Sequence, residues 1–77
     1  MSVAEQVITI IQENTEKDVK ITVETHLREE LNLDSFGAMM IINALEDEYQ
    51  ISIEESAFDH FVIVQDVVDF LEKNYLS

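Results

Sequence analysis

The stretch that decides the fold is Asp34-Ser35-Phe36-Gly37-Ala38-Met39-Met40-Ile41-Ile42-Asn43-Ala44-Leu45-Glu46-Asp47-Glu48-Tyr49. Asp34 and Ser35 are both good helix openers, because their side-chain oxygens can accept from the free N–H groups of a first turn. On a helical wheel, Ala38, Ile41, Ile42, Leu45 and Tyr49 fall within one arc of about 100°, the width of a core-facing stripe. Phe36, Met39, Met40, Asn43 and Asp47 fall on the opposite side. The spacing predicts a helix to about Tyr49 with an aliphatic inner face. Its outer face is apolar near the start and acidic further on.

Upstream, Ser2 and Glu5 have capping-box spacing. Val3, Val7, Ile10 and Ile11 follow at i, i+4, i+7, i+8, which predicts a helix from about Ser2 to Asn14 or a little beyond. Between Thr15 and Asp34 the pattern weakens. Val19, Ile21 and Val23 alternate like a strand, as do Ile51 and Ile53, but a two-stranded pair alone is marginal in water. A long loop with apolar residues tucked under it is the better reading, with a helical turn around Leu27, Leu31 and Leu33. Downstream, Ser56 is the expected cap of a short third helix carrying Phe58, Phe61 and Val62. Val64, Val67, Val68, Leu71 and Tyr75 mark the last helix. The apolar stripes can be buried only against one another. The expectation is an all-α fold, a small four-helix bundle of three main helices and one short one, forming a single domain over residues 1–77.

Composition narrows the function. Seventeen acidic residues against four Lys plus Arg leave a net charge of −13 on 77 residues. Such a chain is repelled by nucleic-acid phosphates and anionic lipid, and its natural partners carry basic patches. The acids also repel one another, so salt or magnesium should favour folding by screening them. The high apolar fraction and its periodic placement argue against disorder. There is no cysteine, hence no disulfide framework and no thiolate metal site. No apolar run approaches the length of a membrane span, and the N-terminus lacks a signal-peptide pattern. A cytoplasmic monomer is the expectation.

Few residues are placed for chemistry. His26 and His60 stand far apart, without a second His at metal-site spacing, and read as surface or loop residues. The acidic clusters 46–48 and 54–55 lack the alternating pattern and central Gly of a calcium loop, so no metal site is expected. One glycine cannot build a phosphate-cradling loop. Ser35 lacks the flanking glycines of a nucleophile elbow, since Leu33 stands where the first belongs. A small hydrolase using Ser35 is therefore disfavoured and no catalytic residue is assigned. At a helix start Ser35 can be ordinary capping. It also follows a long loop, sits where the helix dipole favours a phosphate, and adjoins the apolar patch of Phe36, Met39 and Met40.

The run Leu31-Asn32-Leu33-Asp34-Ser35-Phe36 resembles the phosphopantetheine attachment motif of acyl carrier proteins, Leu-Gly-x-Asp-Ser-Leu. The likeness continues through Ala44-Leu45-Glu46-Asp47-Glu48-Tyr49 and Ile51-Ser52-Ile53 to Val64-Gln65-Asp66-Val67-Val68. The resemblance implies a carrier, not an enzyme. Ser35 would hold a 4'-phosphopantetheine arm taken from coenzyme A, and Asp34 would flank it and assist the modifying transferase. The arm's thiol would carry an acyl or aminoacyl group as a thioester. Phe36, Met39, Met40, Glu46 and Asp47 would meet partners: the phosphopantetheinyl transferase and the loading and transfer enzymes, through basic docking patches. Ile41, Ile42, Leu45, Phe61 and Val62 would shelter the acyl chain. The pathway expected is fatty acid or specialised lipid or polyketide-type biosynthesis. Asn32 stands where the family usually has Gly, Phe36 where it has Leu, and Gly37 and Met40 where fatty-acid carriers usually have acids. Asp34-Ser35-Phe36-Gly37 also resembles the motif of D-alanyl carrier proteins of teichoic acid modification, which stays open as an alternative. An acidic helical binding module with no prosthetic group is the other.

Overall fold

The computed structural model describes residues 2–15 and 19–75. Residues 16–18 of the expected loop lie outside the described residues. The elements are α1 (Val3–Glu13), α2 (Ser35–Tyr49), a 3-10 helix (Glu55–His60) and α3 (Val64–Asn74). The fold is all-α, as the stripes require. Among the described residues no strand forms, and a single antiparallel bridge joins His26 to Ile63.

Each helix start is closed by different chemistry. Ser2 caps α1 with a full capping box: its Oγ accepts from the Glu5 N–H at 3.1 Å, and Glu5 Oε1 accepts from the Ser2 N–H at 3.2 Å. Asp34 caps α2. At α3 Ile63 offers no polar cap, and Asp66 Oδ2 instead reaches back to the N–H groups of Val62 and Ile63 at 2.9 and 3.0 Å. The end of α2 is set by Gln50 in the left-handed region, where its N–H and that of Ile51 return to the Glu46 carbonyl.

α1 packs on both α2 and α3. Val7, Ile10 and Ile11 meet Ile41, Ile42 and Leu45 from α2 and Val64, Val67, Val68 and Leu71 from α3 in one core. Each such side chain contributes about 1.5–3 kcal/mol on full burial. Tyr49 adds a polar link between helices, its hydroxyl donating to Gln6 Oε1 at 2.7 Å. Burial, with the nearby Glu48 charge, raises the Tyr49 pKa.

The long connection is loop, with Ile21, Leu27 and Leu31 buried beneath it. Its expected helical turn is present, closed by the Glu30 N–H on the His26 carbonyl. The alternative pairing of residues near Val23 with Ile51 and Ile53 does not form. Val23, Thr25 and Leu27 instead bond to the backbone of residues 62–65. The lead-in to α3 leaves backbone groups that would otherwise stay unpaired, and the loop satisfies them.

Several expectations are corrected. Val19 is exposed rather than tucked under the loop. Ser56 does not cap the third helix: the N-cap is Glu54, with no side-chain bond. Val62 is 51% exposed, not interior. The third helix is 3-10 and ends at His60, so the α-helical spacing from Phe58 does not carry on to Val62. Tyr75 lies past the end of α3 and stays partly exposed, its hydroxyl donating to the Ser52 carbonyl at 2.8 Å. Phe58, Phe61, Phe70 and Tyr75 instead form a chain of edge-on and tilted rings that seats the 3-10 helix against α3.

Candidate functional site

The loop delivers the chain to α2 through a sharp bend. Asn32 has φ 52°, in the left-handed region. Gly reaches that region freely, and Asn tolerates it better than most other residues. This accounts for Asn at a position where the resembling motif carries Gly. Leu31 is buried just before the bend and anchors it. Two residues after the bend, Asp34 Oδ1 accepts from the Gly37 N–H at 2.8 Å. Gly37 lets Leu33 lie across the first turn of α2, because an added Cβ there would meet Leu33 Cδ2 at 3.1 Å.

With Asp34 as the cap, Ser35 is freed from that duty. It is the first residue of α2, it is exposed, and its hydroxyl makes no hydrogen bond among the described residues. It stands at the positive end of a 15-residue helix, where free N–H groups favour a phosphate.

The outer face of α2 is as the wheel places it. Phe36 is 73% exposed, Met39 50% and Met40 42%, and Asp47 is exposed further along. Glu46 differs from the others. It is half-buried and Oε2 accepts from the Ile53 N–H at 2.7 Å, so one carboxylate oxygen is committed to holding the chain after α2.

Beside Ser35 the 3-10 helix meets α2 and leaves a groove of about 210 Å³, lined by Ser35, Ala38, Met39, Ile42, Phe58 and Asp59 among others. Of the residues expected to shelter a chain, Ile42 lines this groove, and Ile41, Leu45 and Phe61 are buried in the core behind it. Sequence reasoning missed Phe58, Asp59 and Arg28 as neighbours of Ser35. Arg28 lies 30 residues from Phe58 in sequence yet donates to its carbonyl at 3.1 Å. No spacing rule links two such residues; only the docking of the loop on the 3-10 helix does.

His26 and Glu30 form a local structural pair. His26 donates its backbone N–H to Glu30 Oε2 at 2.8 Å, with Nδ1 3.3 Å from the same oxygen. That backbone bond, then the ring contact, lowers the Glu30 pKa. Among the described residues, no three His, Asp or Glu side chains converge on a metal position. No described helix is long and apolar enough to cross a membrane.

Ser35 thus opens α2 exposed and unengaged, next to a partly apolar groove. The model of the family described as "Phosphopantetheine attachment site" matches residues 5–71. The acyl carrier protein of Phytoplasma australiense is 41% identical over 54 residues, covering 70% of this chain and 71% of that protein. The acyl carrier protein of Campylobacter concisus is 31% identical over 74 residues, 95% of this chain and 96% of that one. That of Helicobacter acinonychis is 31% identical across the full length of both. The chain belongs to the acyl carrier protein family. It is a carrier rather than an enzyme, and its prosthetic group is 4'-phosphopantetheine. The residues around Ser35 fit that group: an open hydroxyl to esterify, a helix start for the phosphate, and a groove for the pantetheine chain beyond it.

Proposed function

We propose that Ser35 is the attachment residue and that its arm carries acyl groups as thioesters between biosynthetic enzymes. In the loading reaction the Ser35 oxygen bonds to the pantetheine-bearing phosphorus of coenzyme A. Adenosine bisphosphate leaves, and the hydroxyl proton passes to the transferase. The observation that carries the reading is the division of labour at the start of α2: Asp34 takes the cap and Ser35 keeps an exposed, unbonded hydroxyl. Asp34 flanks the attachment point for the transferase.

Phe36, Met39, Met40 and Asp47 form the partner-facing surface, with Glu46 contributing its second oxygen. The −13 charge draws basic rims of partner enzymes from a distance, and the apolar side chains fix the register on contact. The transferase and the acyl-loading and acyl-transfer enzymes are such partners. The setting is the cytoplasm, with the carrier monomeric and serving fatty acid or related lipid synthesis. The groove of about 210 Å³ falls below the ~300 Å³ from which small-molecule pockets usually start. That volume suits a short acyl group.

The test is direct. Incubation with coenzyme A, magnesium and a broad-specificity phosphopantetheinyl transferase raises the mass by one arm, and Ser35→Ala abolishes the rise. A wild-type chain left unmodified by several such transferases rules the reading out.

A further inference from the structure

Arg28 is the chain's single arginine and one of only four Lys and Arg residues. In so acidic a chain an exposed cation would be expected beside a carboxylate. His26 and Glu30 form an ion pair, and Arg28 is not part of it. Arg28 is instead fixed by uncharged groups. Its guanidinium lies over the Phe58 ring at 4.9 Å, and Nη2 donates to the Phe58 carbonyl at 3.1 Å. Neither contact neutralises the charge, and one hydrogen bond leaves further guanidinium donors for another acceptor.

The held charge and Ser35 share one groove. Arg28 lines the same open groove, of about 430 Å³, as Asp34, Ser35, Phe58 and Asp59. Two carboxylate residues and one arginine thus line one groove with Ser35. Esterifying Ser35 adds a phosphodiester anion to a groove that Asp34 and Asp59 also line, and repulsion from both opposes a settled position for it. Arg28 is the cation lining that groove, and a planar guanidinium suits two phosphate oxygens at once.

The geometry points to Arg28 as a positioning residue for the arm: stacked on Phe58, it takes the phosphodiester on Ser35 and orients the tether along the groove. This inference rests on Ser35 being the attachment residue. Phe58 thereby links two tasks, as the ring that holds Arg28 and as a wall of the smaller groove beside α2.

One arginine gives one side-chain Nε–Hε signal, so nitrogen-15 NMR of the wild-type chain reads Arg28 without ambiguity. Protein is compared before and after loading with coenzyme A and a transferase, with mass spectrometry confirming the arm. The Arg28 signal moves on loading and its Hε exchanges more slowly. The displacement shrinks at about 1 M salt, where the Debye length is ~3 Å. Phosphorus-31 spectra give the reciprocal reading: the diester signal shifts in Arg28→Gln and returns part of the way in Arg28→Lys. An arginine that only braces Phe58 predicts no response to loading. A mass that fails to rise sinks the Ser35 assignment and this inference with it. A mass that rises while the Arg28 signal stays still overturns the arginine's role alone.

Discussion

Two helices of this protein begin with a serine near their first turn, and the two serines do opposite things. At α1, Ser2 is the cap itself. Its hydroxyl accepts from the Glu5 N–H and donates to Glu5 Oε1 at 3.0 Å, so it is fully engaged. At α2 the cap has moved one residue back to Asp34, and Ser35 is left with nothing to hold. The same residue type at nearly the same helical position is structural in one place and available for chemistry in the other. What separates them is the identity of the preceding residue.

Loading separates the two serines most decisively. Ser35→Ala loses the arm entirely in a mass measurement, while its melting curve stays within about 0.5 kcal/mol of the parent, as for an exposed side chain without partners. Ser2→Ala keeps the arm. A Ser35→Ala chain that loads, or that unfolds, would reverse the roles assigned to the two serines.

The two faces of α2 sharpen the same division between holding and presenting. Leu45 is almost completely buried. Leu45→Ala costs about 2–5 kcal/mol in denaturant unfolding, from lost burial and the cavity left behind. Met40→Ala, on the outer face, changes stability by less than about 0.5 kcal/mol and shows its effect in weaker binding to partner enzymes.

The two caps are the next contrast. Asp34→Ala and Ser2→Ala each cost about 1 kcal/mol of stability, the usual worth of an N-cap. They differ in a second readout, because only Asp34→Ala slows attachment of the arm.

The smallest effect is in pH. The Ser2 backbone N–H, then its hydroxyl, lower the Glu5 pKa from its ordinary 4.5. A carboxylate whose folded pKa lies below its unfolded value adds stability above the unfolded pKa and loses it as pH falls through the folded one. The Glu5 contribution is therefore present at neutrality and is lost below about pH 4.5. Ser2→Ala removes only the hydroxyl bond and keeps the backbone N–H, so the Glu5 midpoint moves part of the way back to that ordinary value, which carboxyl NMR titration reads residue by residue. Following Glu5 itself matters, since acidification also relieves repulsion among the other acids and acts on global stability in the opposite direction.

The three α-helices and the split faces of α2 were legible in the residue pattern alone. Residues such as Ala38, Ile42 and Leu45 recur with the helical period, and Ser2 with Glu5 and Asp34 before Ser35 are local signals that need no distant partner. The run that resembles the attachment motif was legible for the same reason, being contiguous. Tertiary structure decided what depends on meetings between distant segments. Val62 turned outward because the preceding helix is 3-10 and ends early, a matter of how Phe58 and Phe61 seat on Phe70 rather than of spacing. The loop paired with the lead-in to α3 because that was where unpaired backbone groups lay. Arg28 came to line the groove at Ser35 because the loop docks it on Phe58, 30 residues away in sequence. Periodicity records which face of an element is apolar. It carries no information on which neighbour that face will find, and the surroundings of Ser35 are made of such neighbours.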